Sequence, residues 1–327
     1  MYKYIIRRVL LMIPVLLGVT FAVFCIMELT PGDPAVIILQ DAATEESVAA
    51  LHEELGLDDP LLVRYFNYMK DIILHGDFGA SYKNQQPVYD QIAEKLPNTI
   101  ILAATGMLIA VLIGIPCGIM AAKHQNTFVD GFSTVLALIG QSAPAFWMGL
   151  MLVILFSLNL RWLPSSGMNT DSIGGLLKTL ILPAMTIGIG SAASTARMTR
   201  SSMLEVIRQD YISTARSKGI TEGEITRRHM LGNAMIPIIT SVGLQFGALL
   251  GGSVMTESIF SWPGLGRFVV ESIKTKDTPC VLGSVIVLAT MFSIVNLLVD
   301  LLYAFVDPRI KSQYKAASKP RATKVEG

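Results

Sequence analysis

The chain of 327 residues is 52% hydrophobic and only 16% charged. Soluble domains carry about 25% charged residues, so this composition excludes an ordinary soluble domain. A mean hydropathy of +0.53 agrees, and we expect an all-α polytopic membrane protein. The net charge of +1 identifies no class of partner, and three widely spaced cysteines without CxxC spacing favour neither a disulfide framework nor a metal site.

The first span follows the basic residues Lys3, Arg7 and Arg8. The apolar run from Val9 to Leu29 is longer than the roughly 7–15-residue core of a signal peptide, and no small-residue cleavage site follows it. We therefore expect residues 1–30 to form a cytoplasmic N-terminus and an uncleaved first transmembrane helix.

Residues 31–97 are the longest stretch of soluble character, with twelve acidic and four basic residues. Thr44 followed by two glutamates predicts the start of one helix, and Asp59 followed by Pro60 predicts the start of another. The glycine-broken sequence HGDFGASY at residues 75–82 predicts a loop. This region is expected to form a small α-rich cap outside the membrane.

Five further apolar segments predict a total of six spans, which place both chain ends on one side of the membrane. Residues 98–196 hold spans two to four, the third of them interrupted at Pro144. Residues 235–306 hold spans five and six, joined by a loop that contains FSWPGLGR. Glycine-rich spans of this kind suit close helix–helix packing.

The distribution of lysine and arginine predicts the orientation, because these residues accumulate in cytoplasmic loops. With a cytoplasmic N-terminus, 17 of the 26 basic residues lie inside. The acidic cap then lies outside, whereas residues 197–234 and the tail of residues 307–327 lie in the cytoplasm.

Residues 197–234 are a polar, basic stretch between spans four and five. Its pattern predicts a short helix over Tyr211–Lys218 that stops at Gly219, then a second helix from Thr221 to about Gly232. Two short helices hinged at a glycine fit a cleft in a partner protein. A solvated loop that only fixes the topology is the alternative.

The sequence motifs do not indicate a catalytic activity in this chain. It contains no GxxxxGK[ST] phosphate-binding loop, and the HEELG sequence at His52 lacks the second histidine of a zinc protease. Neither paired carboxylates nor an HExxH motif occurs in the spans, which argues against an intramembrane enzyme, and the tail is too short for a signalling domain. We expect no catalytic residue, metal or cofactor in this chain.

The sequence STARSKG at residues 213–219, followed by RHMLGNAMIP at residues 228–237, resembles the EAA loop of binding-protein-dependent ABC importer permeases. In that family the loop docks into a groove on a separate ATPase subunit. Only Ala215, Gly219 and Leu231 keep the residue of the family pattern. The resemblance implies that the ATPase-coupling positions are Ser213, Thr214, Ala215, Arg216, Ser217, Lys218, Gly219, His229, Leu231 and Gly232.

Further motifs extend the resemblance over the whole chain: RR at residues 7–8, PGDP at 31–34, ELGLDDP at 54–60, HGDFGAS at 75–81, RMTRSSMLEV at 197–206, DYISTARSKG at 210–219, FSWPGLGR at 260–267 and NLLVDLLY from 296 followed by DPRI. In this order they are similar to the first permease subunit of dipeptide and oligopeptide importers. The alternative substrates within that class are nickel or a metallophore, and glutathione.

The resemblance implies a type I ABC importer permease in the bacterial inner membrane. The implied partners are a second homologous permease, two subunits that bind ATP and magnesium, an extracytoplasmic substrate-binding protein and membrane lipid, with no nucleic acid.

Polar residues in and near the spans supply the remaining candidates. Asp300 is expected to pair with a basic group or with polar backbone, whereas Glu28, Arg161, Glu257 and Arg267 are expected to reach water from outer span ends. Candidates for lining a translocation path are Gln141, Pro144, Gln245 and Asn296, and for Gln245 and Asn296 the alternative is that they join helices. Candidates for contacting a binding protein at the outer face, where simple anchoring is the alternative, are Asp77, Phe78, Trp262 and Arg267.

Overall fold

The computed structural model describes residues 2–306, and the predicted cytoplasmic tail of residues 307–327 lies outside the described residues. Apart from one bridge between Ala80 and Pro87, the described elements are helical. They are α1 (Tyr2–Leu29), α2 (Pro34–Leu39), α3 (Glu45–Leu55), α4 (Leu61–His75), α5 (Val88–Lys123), α6 (Phe128–Ser142), α7 (Ala145–Leu152), α8 (Ile173–Ile207), α9 (Asp210–Ser217), α10 (Glu222–Glu224), α11 (Leu231–Gly252), α12 (Val254–Ile259), α13 (Leu265–Lys274) and α14 (Thr278–Val306), with π-helical turns at Val153–Asn159 and Ile225–Met230.

Five helices are long and apolar enough to cross a membrane: α1, α5, α8, the continuous helix that ends with α11, and α14. A sixth crossing is divided into α6 and the helix over residues 145–159, which meet at an angle of 101°. Helix α6 ends at Ser142 because Pro144 disfavours a helical conformation at Ala143, which is extended. The predicted interruption at Pro144 is therefore a sharp bend.

Helices α5 and α8 run parallel. Gly106 of α5 faces Ala184 and Ile187 of α8, and Gly118 further along α5 faces Ala196 and Thr199 further along α8. Two parallel spans require the chain between them to cross back, and the bent pair of helices supplies that crossing. One crossing between two parallel spans is what six spans require, so the six predicted spans are confirmed.

The contact between α5 and α8 depends on residues without large side chains. A Cβ atom on Gly114 would lie 2.7 Å from the carbonyl oxygen of Ala192, and one on Gly118 would lie 2.5 Å from that of Ala196. Small residues recur at every fourth position on both helices, so the two backbones approach closely and gain dispersion contacts that lipid does not offer. On α5 they are Gly106, Ala110, Gly114 and Gly118, and on α8 they are Ala184, Gly188, Ala192 and Ala196.

Helices α1 and α14 are joined at both ends. At one end an Arg8 Nη2 atom lies 2.6 Å from Asp300 Oδ2, and at the other the Lys276 amino group donates to the carbonyl of Gly32. Helix α1 thus begins where α14 ends, so the two ends of the described chain lie on the same side. The prediction that Asp300 pairs with a basic group is confirmed.

The cap contains α2, α3 and α4. Thr44 and Ser47 form a reciprocal capping box at the start of α3, which confirms the predicted helix start. Pro60 takes the N-cap position of α4, so Asp59 is not the cap that the sequence predicts. Helix α5 begins at Val88 and continues through Pro97, so the helix of the second span starts inside the region predicted as cap.

The close contact between α5 and α8 leads to a first prediction. Replacing Gly118 with alanine places a methyl group against backbone that cannot move aside, and we expect a loss of about 1–3 kcal/mol from overpacking. Thermal unfolding in detergent measures it. Gly18→Ala is the matched control, because nothing lies within 4 Å of the added Cβ; equal melting temperatures for the two variants would contradict the proposed contact.

Candidate functional site

The candidate coupling site is centred on α9, an eight-residue helix held against the membrane helices by one face. Ile212 and Ala215 are buried in an apolar cluster with Met203 of α8 and with Ile225 and Met230 of the π-helical turn. The other side of α9 is exposed. The exposed predicted coupling residues are Ser213, Thr214, Arg216, Ser217, Lys218 and Gly219.

Gly219 ends α9 in a left-handed conformation, with φ +77°. Its N–H donates to the carbonyl of Arg216 at 2.9 Å, and the N–H of Ile220 donates to that of Ala215 at 3.3 Å. These two bonds form a Schellman motif, and Ile220 and Ala215 contribute to the same apolar cluster. The predicted stop at Gly219 is confirmed, and its cause is a backbone conformation that favours glycine.

An ion pair closes the turn that follows. Arg216 Nε donates to Glu222 Oε1 at 2.7 Å, and Arg216 Nη2 donates to Glu222 Oε2 at 3.3 Å. Both side chains are about half exposed, so the pair fixes geometry more than it adds stability. Together with the Schellman motif it holds the end of α9 in one orientation relative to the next helix.

The second predicted short helix is not a separate element. Thr221 accepts a hydrogen bond from the N–H of Glu224, as a helix cap does, which agrees with the predicted start. The helix then passes through the π-helical turn directly into α11, so it does not end near Gly232. Consequently His229 and Leu231 are only partly exposed within a continuous helix, whereas Gly232 is exposed.

Sequence reasoning missed an ion pair beside the site. Arg200 Nε lies 2.6 Å from Asp130 Oδ1, and Arg200 Nη2 lies 2.7 Å from Asp130 Oδ2. Asp130 is 5% exposed and also accepts from the N–H of Asn126. This forked ion pair joins the start of α6 to α8 about two turns before α8 ends at Ile207. The signal that could have indicated this ion pair is a single aspartate, Asp130, beside an apolar segment.

The path candidates occupy different environments. Gln141 and Pro144 are exposed at the bend after α6. Gln245 Nε2 lies within hydrogen-bond distance of Thr195 Oγ1 (3.5 Å) and of Ser241 Oγ (3.2 Å), so it joins α11 to α8. Asn296 Oδ1 is buried without a hydrogen-bond partner in the described part of the chain. Their role in a path stays a prediction.

In the FSWPGLGR loop, the expectation that Trp262 contacts a binding protein is wrong. Trp262 is 0% exposed, and its Nε1 donates to the carbonyl of Asn98 at 2.9 Å, so its side chain offers no surface to a binding protein. Phe260 is buried as well. Asp77 is exposed, whereas Phe78 and Arg267 are partly exposed, and Arg267 pairs with Glu271 at 2.6 Å.

Glu257 is also fully buried, contrary to the expectation that it reaches water. Its carboxylate accepts from the hydroxyls of Thr99 and Ser253, both at 2.8 Å, and from the N–H of Arg267 at 2.9 Å. The carboxylate therefore caps the start of α13 by accepting a hydrogen bond from an N–H group that has no partner within the helix. The helix dipole favours an anion at this position. Gly264 leaves room for it, because a Cβ there would overlap the carboxylate.

Asp277 fixes the HGDFGASY loop to the start of α14. It accepts from the Ser81 hydroxyl at 2.5 Å and from the N–H of Tyr82 at 3.2 Å. Ser81 is buried, and it is separated from Asp277 by almost two hundred residues. No local pattern in the sequence indicates this contact.

His52 connects two of the sequence motifs in the cap. Its Nε2 lies 2.9 Å from Asp33 of PGDP, and its Nδ1 lies 3.0 Å from Asp58 of ELGLDDP. The hydrogen bonds to Asp33 and Asp58 raise the pKa of His52. Burial acts against the shift at Asp33, but hydrogen bonds from His52 and the Ala35 N–H, with the charges of His52 and Lys276, lower the pKa of Asp33.

Comparison with known proteins identifies related sequences along the whole chain. The family described as binding-protein-dependent transport system inner membrane component matches residues 114–312, and its N-terminal family matches residues 1–103. The dipeptide transport system permease protein DppB of Alkalihalophilus pseudofirmus is 44% identical over 95% of this chain and 100% of its own length. The glutathione transport system permease protein GsiC of Salmonella typhimurium is 42% identical over 95% of this chain and 99% of its own length.

A solved structure of the MetNI methionine ABC transporter, in an inward-facing conformation, supports the fold. A chain of it superimposes with a TM-score of 0.56 and 18% identity, covering 66% of this chain and 96% of that one. At this identity the similarity concerns the fold alone.

The contacts of His52 predict that the stability of the cap depends on pH. Because the pKa of His52 is raised, its contribution to the stability of the cap is complete below about pH 6.5. This contribution is lost as the pH rises through the pKa of His52 in the folded protein. The contribution of Asp33 is complete above about pH 3.9 and is lost as the pH falls through its lowered pKa. Limited proteolysis of residues 31–60 in the purified protein is therefore expected to be faster at pH 8.5 than at pH 5.5. His52→Gln removes the titration, and an unchanged difference in that variant would show that another group is responsible.

Proposed function

This chain belongs to the family of binding-protein-dependent transport system inner membrane components, and on that premise we propose that it carries short peptides across the inner membrane. It is a multi-pass permease subunit of an ABC importer. The observation that carries the substrate class is the similarity over 95% of the chain to permeases named for dipeptide and for glutathione. Because both substrates are short peptides, glutathione is the second candidate within the same class.

ATP hydrolysis is assigned to separate partner subunits, which bind ATP and magnesium. The exposed polar face of α9 supports this assignment, because its opposite face is already packed against α8 and the start of α11. Such a helix presents serine, threonine and lysine side chains to a groove while its own position stays fixed. The other proposed partners are a second permease and an extracytoplasmic binding protein.

We propose that three contacts transmit movement of the ATPase subunits to the membrane helices. Ile212 and Ala215 transfer a displacement of α9 to α8 and α11. The small-residue contact transfers it from α8 to α5, and the fork between Asp130 and Arg200 transfers it to α6. We propose that these helices tilt together and so alternate the access of the path between the two sides.

The proposed orientation places α9 and both chain ends in the cytoplasm. The contact between Arg8 and Asp300 supports a common side for the two ends. The abundance of basic residues at 197–228 supports the cytoplasm as that side.

The coupling role predicts the behaviour of Gly219 variants. A side chain in the left-handed conformation costs about 1–2 kcal/mol, but asparagine tolerates it far better than β-branched residues do. No atom lies within 4 Å of a Cβ added at position 219, so the variants differ only in how well the new residue adopts the left-handed conformation. We expect Gly219→Val to weaken co-purification of the ATPase subunits and to lower uptake of labelled dipeptide or glutathione several-fold, whereas Gly219→Asn retains both. Equal loss in the two variants would contradict this role for the turn.

The orientation is tested with two exposed positions, Ser217 on α9 and Lys83 on the outer loop. In a chain whose three native cysteines are replaced, a membrane-impermeant maleimide is expected to label Lys83→Cys in intact cells. It should label Ser217→Cys only after permeabilisation, and Ser217→Cys should crosslink to an ATPase subunit. The reverse labelling pattern would overturn the proposed topology.

A further inference from the structure

Helix α4 in the cap carries an apolar stripe that no part of the described chain covers. Phe66 is 73% exposed and Ile73 is 68% exposed. At about 100° per residue the members of the stripe fall within an arc of about 120°. The stripe consists of Leu62, Val63, Phe66, Ile73 and Leu74.

The other sides of α4 are occupied or polar. Arg64 pairs with Glu28 at the end of α1, and Tyr68 donates to the carbonyl of Pro279 at the start of α14. These contacts place α4 across the ends of two spans on the same side of the membrane. Between the protein-facing side and the apolar stripe lie Asn67 and Asp71, which are exposed.

The depth of α4 follows from Tyr65. Its ring lies 5.2 Å from that of Phe21 and 5.6 Å from that of Phe24, and its hydroxyl donates to the carbonyl of Leu17 at 2.9 Å. With a rise of 1.5 Å per residue, Phe21 and Phe24 lie roughly 8–12 Å below the end of α1 at Leu29.

That level is inside the hydrocarbon layer. The apolar run of α1 from Val9 to Leu29 is roughly 31 Å long, which matches a hydrocarbon thickness of about 30 Å. Its end at Leu29 therefore marks the boundary of that layer, and the Tyr65 side of α4 reaches below it.

We propose that α4 is an interfacial helix embedded in the leaflet at this end of α1, with acyl chains covering the apolar stripe. The three sides of α4 fit this placement: one contacts protein, Asn67 and Asp71 face the headgroups and water, and the stripe faces lipid. Lys70 falls within the arc of the stripe, and its stem is long enough to bring its amino group to the headgroups. A water-soluble partner does not reach this depth, which favours lipid as the occupant.

The inference requires only that the chain spans the membrane, and the proposed orientation serves to name the leaflet as the outer one. Anchoring α4 in lipid holds the cap at a fixed height, because Tyr65, Arg64 and Tyr68 join it to α1 and α14. The cap is then supported by the bilayer as well as by the spans.

Spin labels test the proposal. Single cysteines at Phe66→Cys and Ile73→Cys, with Asn67→Cys and Asp71→Cys as matched controls one helical face away, are placed in a chain without native cysteines. The full chain, with the subunits that co-purify with it, is reconstituted in vesicles of phosphatidylethanolamine and phosphatidylglycerol. Collision with oxygen reports lipid, and collision with a water-soluble nickel chelate reports water.

We expect the ratio of oxygen to nickel accessibility to be several-fold higher at positions 66 and 73 than at 67 and 71. High nickel accessibility at all four positions would show that the stripe faces water and would overturn the proposal. Low accessibility to both reagents at 66 and 73 would show that a protein covers the stripe, and would overturn it equally. Leu62→Cys gives a further reading on the same side if one of the other variants does not assemble. Transport is not the readout, so the result is independent of the proposed substrate.

Discussion

The close approach of α5 and α8 is the contact on which the membrane part depends. In lipid, burying apolar side chains gives little driving force for helix association, so dense packing of small residues has to supply it. Glycines at positions 106, 114 and 118 let α5 lie against the backbone of α8, and the parallel direction of the pair forces the intervening chain to cross back. The fork between Asp130 and Arg200 attaches α6 to α8, and α9 packs against α8 as well, so both helices are positioned by where α8 is held.

The side of the molecule that carries the cap is organised by a different physical constraint, namely the burial of carboxylates. Glu257 and Asp277 each receive several hydrogen bonds from backbone N–H groups and hydroxyls, which offsets much of the cost of removing a charge from water. Each joins segments that are far apart in the chain. Of the four candidates for contacting a binding protein, Trp262 is therefore buried, Phe78 and Arg267 are partly exposed, and only Asp77 is exposed.

The features that were predictable from sequence are those set by local chemistry. Apolar length predicts the spans, Thr44 and Gly219 predict helix ends, and a lone Asp300 in a span predicts a basic partner. The wrong expectations for Trp262 and Glu257 have a common cause: their burial depends on Asn98 and Thr99, more than 150 residues away, and no local pattern encodes that contact. The passage of the second short helix into α11 was missed for a related reason, since the glycine that suggests an end, Gly232, is accommodated within a continuous helix.

That continuity has a mechanical consequence. The helix that begins at Glu222 runs without a break into α11, and Ile212 and Ala215 of α9 pack against α8 and against the start of this helix. Helix α9 therefore lies at one end of two long helices. Helix α8 has 35 residues and is therefore about 52 Å long. A tilt of only about 10° about the end next to α9 displaces the opposite end by about 9 Å at that length. In the mechanism proposed above, a small displacement of α9 is thus sufficient to open the path at the opposite end of α8.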